Sequence, residues 1–195
     1  MARANTDQRT DLYGPGTEVA EHYVIEDRVA SGAMGDVYRA TDKRLDRLVA
    51  LKFIRPESRN DVYINRFEAE ARTLSRIVHP NVVAIYDFGQ FAGAPFIAME
   101  LVDGGSLLDV VLRTRTALSV EEVVDLASQV AQALAEAHGH DIIHRDIKPA
   151  NILLRTTATG RLVAKVVDFG LARRRRGDGE RDAFVEGTPA YMSPE

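Results

Sequence analysis

The sequence predicts an α+β chain folded as two lobes, strands first and helices after. From His22 to Ile54 there are three short runs, HYVIEDRVA, DVYRAT and LVALKFI, rich in Val, Tyr, Phe and Ile and separated by turn residues or charged clusters. After Asp103-Gly104-Gly105 the apolar period lengthens to three or four residues. Sheet segregated from helix implies two lobes with a boundary near 102–105, and a cleft between lobes is a common place for a ligand.

Taken in order, residues 1–21 read as a flexible polar leader punctuated by Gly14-Pro15-Gly16. Gly32 and Gly35 separate the first two strands. Across 61–78, Phe67, Ala71, Leu74 and Val78 recur at helical spacing, and His79-Pro80 ends the helix because a residue before proline leaves the helical region. VVAIYDF and PFIAMEL are two more strands, giving five strands and one helix before residue 102. Ser119 followed by Glu122 is a capping box, after which Val120, Val124, Ala127, Ala131, Leu134 and Ala135 mark one face of a long helix. NILLR and LVAKVV form a hairpin around Thr159-Gly160, and 168–195 is polar and irregular.

Composition narrows the function classes. The chain has 195 residues, 25 Lys+Arg against 29 Asp+Glu, 45% hydrophobic residues and no cysteine. It has the makeup of an ordinary globular protein, without a disulfide scaffold, a Cys-ligated zinc site or a thiol nucleophile. A net charge of −4 argues against a sequence-independent nucleic-acid binder. No run approaches the ~20 apolar residues that span a bilayer.

The chemistry concentrates in HRDIKPAN, residues 144–151, where six positions match H-R-D-x-K-P-x-N, and in Asp168-Phe169-Gly170, 17 residues after Asn151. With GAMGDVYRA, HPNVVAIYDFG and GTPAYMSPE, the chain resembles the eukaryotic-like (Hanks-type) Ser/Thr protein kinases of bacterial type over residues 22–195. Lys148, two residues after Asp146, resembles the Ser/Thr branch. The resemblance implies the two-lobe protein-kinase fold. Its N-lobe (about 22–102) has five strands and one helix. The helical C-lobe (about 103–195) is incomplete, a truncated domain ending at S-P-E.

Phosphoryl transfer needs in-line positioning and charge neutralisation more than covalent help. By the resemblance, Asp146 accepts the substrate hydroxyl proton, Lys148 sets a positive charge beside the transferring group, and Asn151 and Asp168 give oxygen ligands to Mg2+, with Mn2+ a second candidate. Val49-Ala50-Leu51-Lys52 matches the family's V-A-I-K, so Lys52 contacts the α/β-phosphates of ATP and pairs with a helix glutamate. The family alignment selects Glu70. Glu68 is the other candidate, about 200° round the helix. The glycine-loop pattern falls on Ala30, Gly32, Gly35 and Val37. Ala30 replaces the first glycine, at a cost of roughly 1–2 kcal/mol if φ > 0 is needed.

The resemblance further places Val29, Val37, Ala50 and Leu153 about the adenine, Met99 at the back and the Glu100–Val102 backbone at the hinge. Leu74, Ile85, His144 and Phe169 stack between the lobes, and Thr188 positions the substrate. Between Leu171 and Glu186 there is no Ser, Thr or Tyr, so Arg145 is expected to work without a phosphate from that stretch. Arg173–Arg176 reads as part of a solvated loop, since five Arg face four acidic residues there.

The implied partner is a protein bearing Ser or Thr, with no nucleic acid and with a dimer as a further candidate. The implied location is cytoplasmic, the parent being membrane-anchored if such a segment follows. Two other readings stand beside the enzyme: a nucleotide-binding pseudokinase or scaffold, favoured by Ala30 and opposed by intact Lys52, Asp146, Asn151 and Asp168, and an inactive kinase fragment.

Overall fold

The computed structural model describes residues 13–32, 35–54, 68, 71–113, 118–169 and 188–192. The five expected strands form one antiparallel sheet: β2 (Tyr23–Gly32), β3 (Gly35–Asp42), β4 (Arg47–Ile54), β5 (Ile85–Phe91) and β6 (Ala94–Glu100). A two-residue strand, β1 (Glu18–Val19), pairs with the start of β2, and the sheet order is β1-β2-β3-β4-β6-β5. Alternation along β3 buries Tyr38, Ala40 and Asp42, whereas β4 is buried without interruption from Val49 to Ile54.

One face carries the main core, in which Tyr23, Ile25, Tyr38, Val49, Leu51, Phe53 and Phe96 pack together. The sheet curls, because Tyr23 on β2 donates its hydroxyl to Asp87 Oδ2 on β5 at 3.3 Å although these strands lie far apart in the sheet order. Burial, then the charges of Asp87 and Asp42, push the Tyr23 phenol up to about 12.

The sequence reads as a mobile leader through residue 21, but the chain is folded in from Tyr13 onward. The Tyr13 ring lies 4.5 Å from that of Phe53 and 5.4 Å from that of Phe91, and Val19 is fully buried. These residues cover aromatic surface that a bare sheet would expose to water. Residues 1–12 lie outside the described residues.

Residues 68 and 71–74 are helical, with Ala71 and Leu74 buried as the spacing predicts. Val78 is instead 87% exposed, because the chain turns at 75–76 and Ile77 takes the inward position. Phe67 lies outside the described residues.

The second half comprises α1 (Leu107–Arg113), α2 (Val120–Gly139), a 3-10 turn (Pro149–Asn151) and the hairpin β7 (Ile152–Thr156) and β8 (Leu162–Val166). The capping box is present. Glu122 N–H donates to Ser119 Oγ at 3.1 Å, and Ser119 N–H donates to Glu122 Oε2 at 2.8 Å. Such a cap contributes about 1 kcal/mol.

The buried face of α2 is not the one its apolar residues predict. Leu126, Gln129, Ala133 and Ala137 face inward, while Val120, Val124, Ala127, Ala131 and Ala135 are exposed and only Leu134 of the expected set packs. Gln129 explains the rotation. Its amide oxygen accepts from Asn81 Nδ2 and from Ala164 N–H, both at 2.8 Å, and its Nε2 donates to Leu162 O at 3.1 Å. A satisfied glutamine can occupy the core side, which hydrophobic periodicity does not register.

Candidate active site

β-sheet register places one set of side chains over the inter-lobe cleft. Ala30 pairs with Val37, Val37 with Lys52, and Ala50 with both Arg39 and Met99. Directly opposed residues project from the same face of a sheet, and these six all line the cleft. Its volume is about 480 Å³, within the range of small-molecule sites. Val29, the Glu100–Val102 hinge, Leu153 and Asp168 complete the expected lining. Met99 also borders a small apolar recess behind the cleft, with Leu74, Ile85 and Phe169.

Ala30 has no positive φ, so the strain conditional on that geometry does not arise. Gly35 is the position that requires glycine. Its φ is +141°, and a Cβ there would lie 1.9 Å from Phe53 O. Neither Gly32 nor Gly35 lines the cleft, and the loop tip between them, residues 33–34, lies outside the described residues.

The catalytic-loop residues converge below the sheet. Lys148 Nζ lies 2.9 Å from Asp146 Oδ2 and donates to Thr188 Oγ1 at 2.9 Å, while Thr188 donates to Asp146 Oδ1 at 2.8 Å. Asn151 Nδ2 donates to Asp146 O at 2.8 Å and contacts Asp146 Oδ2 at 3.3 Å. Those bonds use the amide nitrogen and leave Asn151 Oδ1 as the acceptor. Asp146 and Asn151 are each 6% exposed.

His144 fastens this loop to the strand that precedes Asp168. Its Nε2–H donates to Val167 O at 2.9 Å, its Nδ1 accepts from Asp146 N–H, and Val167 N–H donates to Asn151 O at 3.0 Å. Burial holds the His144 imidazole below its ordinary range, the neutral form that this pattern requires. Its ring stacks on Phe169 at 4.7 Å, and Leu74, Ile85 and Phe169 share one cluster, so the four residues expected between the lobes meet there.

Lys52 forms a close ion pair with Asp168 Oδ1, joining the sheet to the lower lobe. Its expected partner Glu70 lies outside the described residues, whereas Glu68 is described and half-buried. Asp168 and Arg145 have φ of 64° and 63°. Such non-glycine outliers cost roughly 1–3 kcal/mol and collect at functional sites. The segment 171–186 lies outside the described residues.

Several lining residues escape the sequence reading, among them Val83, Ser106, Asp109, Arg113 and Ala150. Ser106 and Asp109 had a readable signal. Their S-x-x-D spacing is that of an N-terminal cap, and Asp109 Oδ2 accepts from Ser106 N–H at 3.0 Å and from its hydroxyl at 2.7 Å. Those bonds hold the Asp109 carboxyl below its usual range.

A curled antiparallel sheet over a helical lobe, with a lysine, two aspartates and an asparagine meeting at the seam, is the two-lobe architecture of a protein kinase fold. The chain belongs to the protein kinase family, whose domain model matches residues 23–195. It is 42% identical over 193 residues to the serine/threonine-protein kinase pkn3 of Myxococcus xanthus, covering 95% of this chain and 35% of that protein. It is 37% identical over 187 residues to serine/threonine-protein kinase PknA of Mycobacterium tuberculosis, covering 92% of this chain and 42% of that one. The crystal structure of the Mycobacterium tuberculosis PknI kinase domain superposes with a TM-score of 0.70 at 32% identity, over 83% of this chain and 64% of that one. The chain thus spans well under half the length of these curated relatives.

Proposed function

We propose that this chain transfers the γ-phosphoryl group of ATP to a serine or threonine hydroxyl of a protein. The observation that carries the reading is the Asp146–Lys148–Thr188–Asn151 cluster, beneath a cleft whose roof bears Lys52 paired to Asp168. Apolar Val29, Val37 and Ala50 above and Leu153 below make a thin slot, with the Glu100–Val102 backbone along its edge, which fits a purine.

Asn151 Oδ1 and the Asp168 carboxylate are hard oxygen donors suited to Mg2+. When bound, the cation neutralises phosphate charge. Asp146 then orients the acceptor hydroxyl and takes its proton, Lys148 balances charge on the transferring group, and Lys52 anchors the phosphates. Thr188 positions the substrate peptide in this reading, which its bonds to Asp146 and Lys148 support. Among the described residues, no helix is long and apolar enough to cross a membrane.

The test is transfer of γ-32P from ATP to a generic protein substrate, followed by acid hydrolysis. Label in phosphoserine or phosphothreonine is expected. Label in phosphotyrosine alone, or release only as inorganic phosphate, contradicts the reading.

A further inference from the structure

The hinge residue Glu100 lines the cleft, and its carboxylate is held between a pair of cations. Oε1 lies 2.6 Å from Arg155 Nη2 and Oε2 lies 2.7 Å from Lys165 Nζ. Glu100 and Lys165 are nearly closed to solvent, with side-chain exposures of 12% and 11%, whereas Arg155 is half open at 42%. Oε2 also receives a long contact of 3.4 Å from Ala84 N–H, and Glu100 N–H donates to Ala84 O at 2.9 Å. Burial alone would raise this carboxyl, but the bonds and charge from Lys165 and the bond from Arg155 outweigh it and hold the group below its ordinary range.

The two cations share a face of the β7–β8 hairpin with a residue of the nucleotide slot. Leu153 pairs directly with Lys165, and Arg155 follows Leu153 by two positions on β7. Paired residues and residues two apart project to the same side. Leu153 is the slot's floor, and Lys165 lies three residues before Asp168 on the strand that delivers it. Beyond the hinge a second tie acts on the same hairpin. Leu154 N–H donates to Gly105 O at 2.8 Å, and Gly104 lies so close to Leu154 O that a Cβ would fall 2.0 Å from it.

We propose that Glu100 is a positioning residue, whose carboxylate braces the hinge against Arg155 and Lys165 and so sets the height of the nucleotide slot. The proposal rests on the nucleotide-binding reading above and adds to it a residue that touches neither phosphate nor acceptor. Loss of the brace frees the hinge from the hairpin, so it acts on ATP binding before it acts on chemistry.

The experiment uses the full chain as wild type, Glu100→Gln, Lys165→Met and the double variant, with two readouts. The first is hydrogen exchange of the amides at 84 and 100–103 without nucleotide, which should quicken in each single variant. The second is Mg·ATP affinity by calorimetry together with the kinetic split. Each single variant should weaken binding about tenfold, with KM for ATP rising and kcat nearly unchanged. The double variant should be little worse than either single one, as expected for partners in one interaction. Unchanged exchange with unchanged affinity overturns the brace, as do additive losses in the double variant. If the wild-type chain binds no Mg·ATP, the nucleotide reading fails, and the exchange readout still decides whether the brace exists.

Discussion

The two lobes bury their apolar residues to different degrees. In the sheet lobe Tyr23, Tyr38, Phe96, Ile25 and Leu51 are all less than 2% exposed, and even the approach segment contributes Tyr13 and Val19 to that core. In the lower lobe α2 packs one stripe against β8 and leaves a second stripe in solvent, with Val120 75% and Val124 62% exposed. The candidate site residues of the lower lobe are fixed by polar contacts added to that packing. Asn81 and Gln129 tie the segment before β5 to α2 and β8, and His144 and Asn151 tie the 144–151 loop to Val167. The sheet lobe is held by one aromatic-rich core, and the lower lobe by smaller apolar clusters supplemented by directed bonds around the site.

The largest stability effect should come from Phe53→Ala in the sheet lobe. Removing this ring, which touches Tyr13, Tyr38, Phe91 and Phe96, should cost roughly 3–5 kcal/mol and lower Tm by many degrees in a thermal melt. A loss below about 1 kcal/mol would show that the sheet core is not the anchor claimed for it.

Next in size is Gln129→Leu in the lower lobe. It removes the partners of Asn81 and Ala164 N–H and should cost about 1–3 kcal/mol by denaturant titration. A neutral outcome would transfer the credit from directed bonds to packing.

A smaller, pH-dependent effect separates the lobes further. His144 has a depressed folded-state pKa, so the unfolded chain binds more protons as the solution acidifies. Its contribution is therefore complete above pH 6.5 and declines below it. Glu100, also depressed, adds a second loss below pH 4.5. Melts across this range should show the first slope, and His144→Phe should flatten it. Smallest of all, Val124→Ser on the exposed stripe should shift stability by no more than about 0.5 kcal/mol while reducing aggregation, read by light scattering.

What was legible in the sequence follows the same division. Strands reveal themselves by composition and alternation, so β2 to β6 and their order along the chain were readable, and HRDIKPAN with Asp168 marked the site without any geometry. The inward face of α2 was not readable, because a bonded Gln129 lies inside while two valines lie outside. Tyr13 carries no such signal, because a lone aromatic in polar sequence has no period to mark it. The side-chain contacts of Glu100 leave no local signal either, because its partners are 55 and 65 residues away. Contacts between distant charges leave no local pattern.

The proposed function requires Asp146 to act in chemistry at a cleft that binds nucleotide independently of it. Mg·ATP affinity and γ-phosphoryl transfer should therefore be measured side by side for the wild type and Asp146→Asn. Affinity within about twofold of wild type, with transfer reduced by roughly a hundredfold or more, is the predicted result. Equal transfer by the two proteins would contradict it.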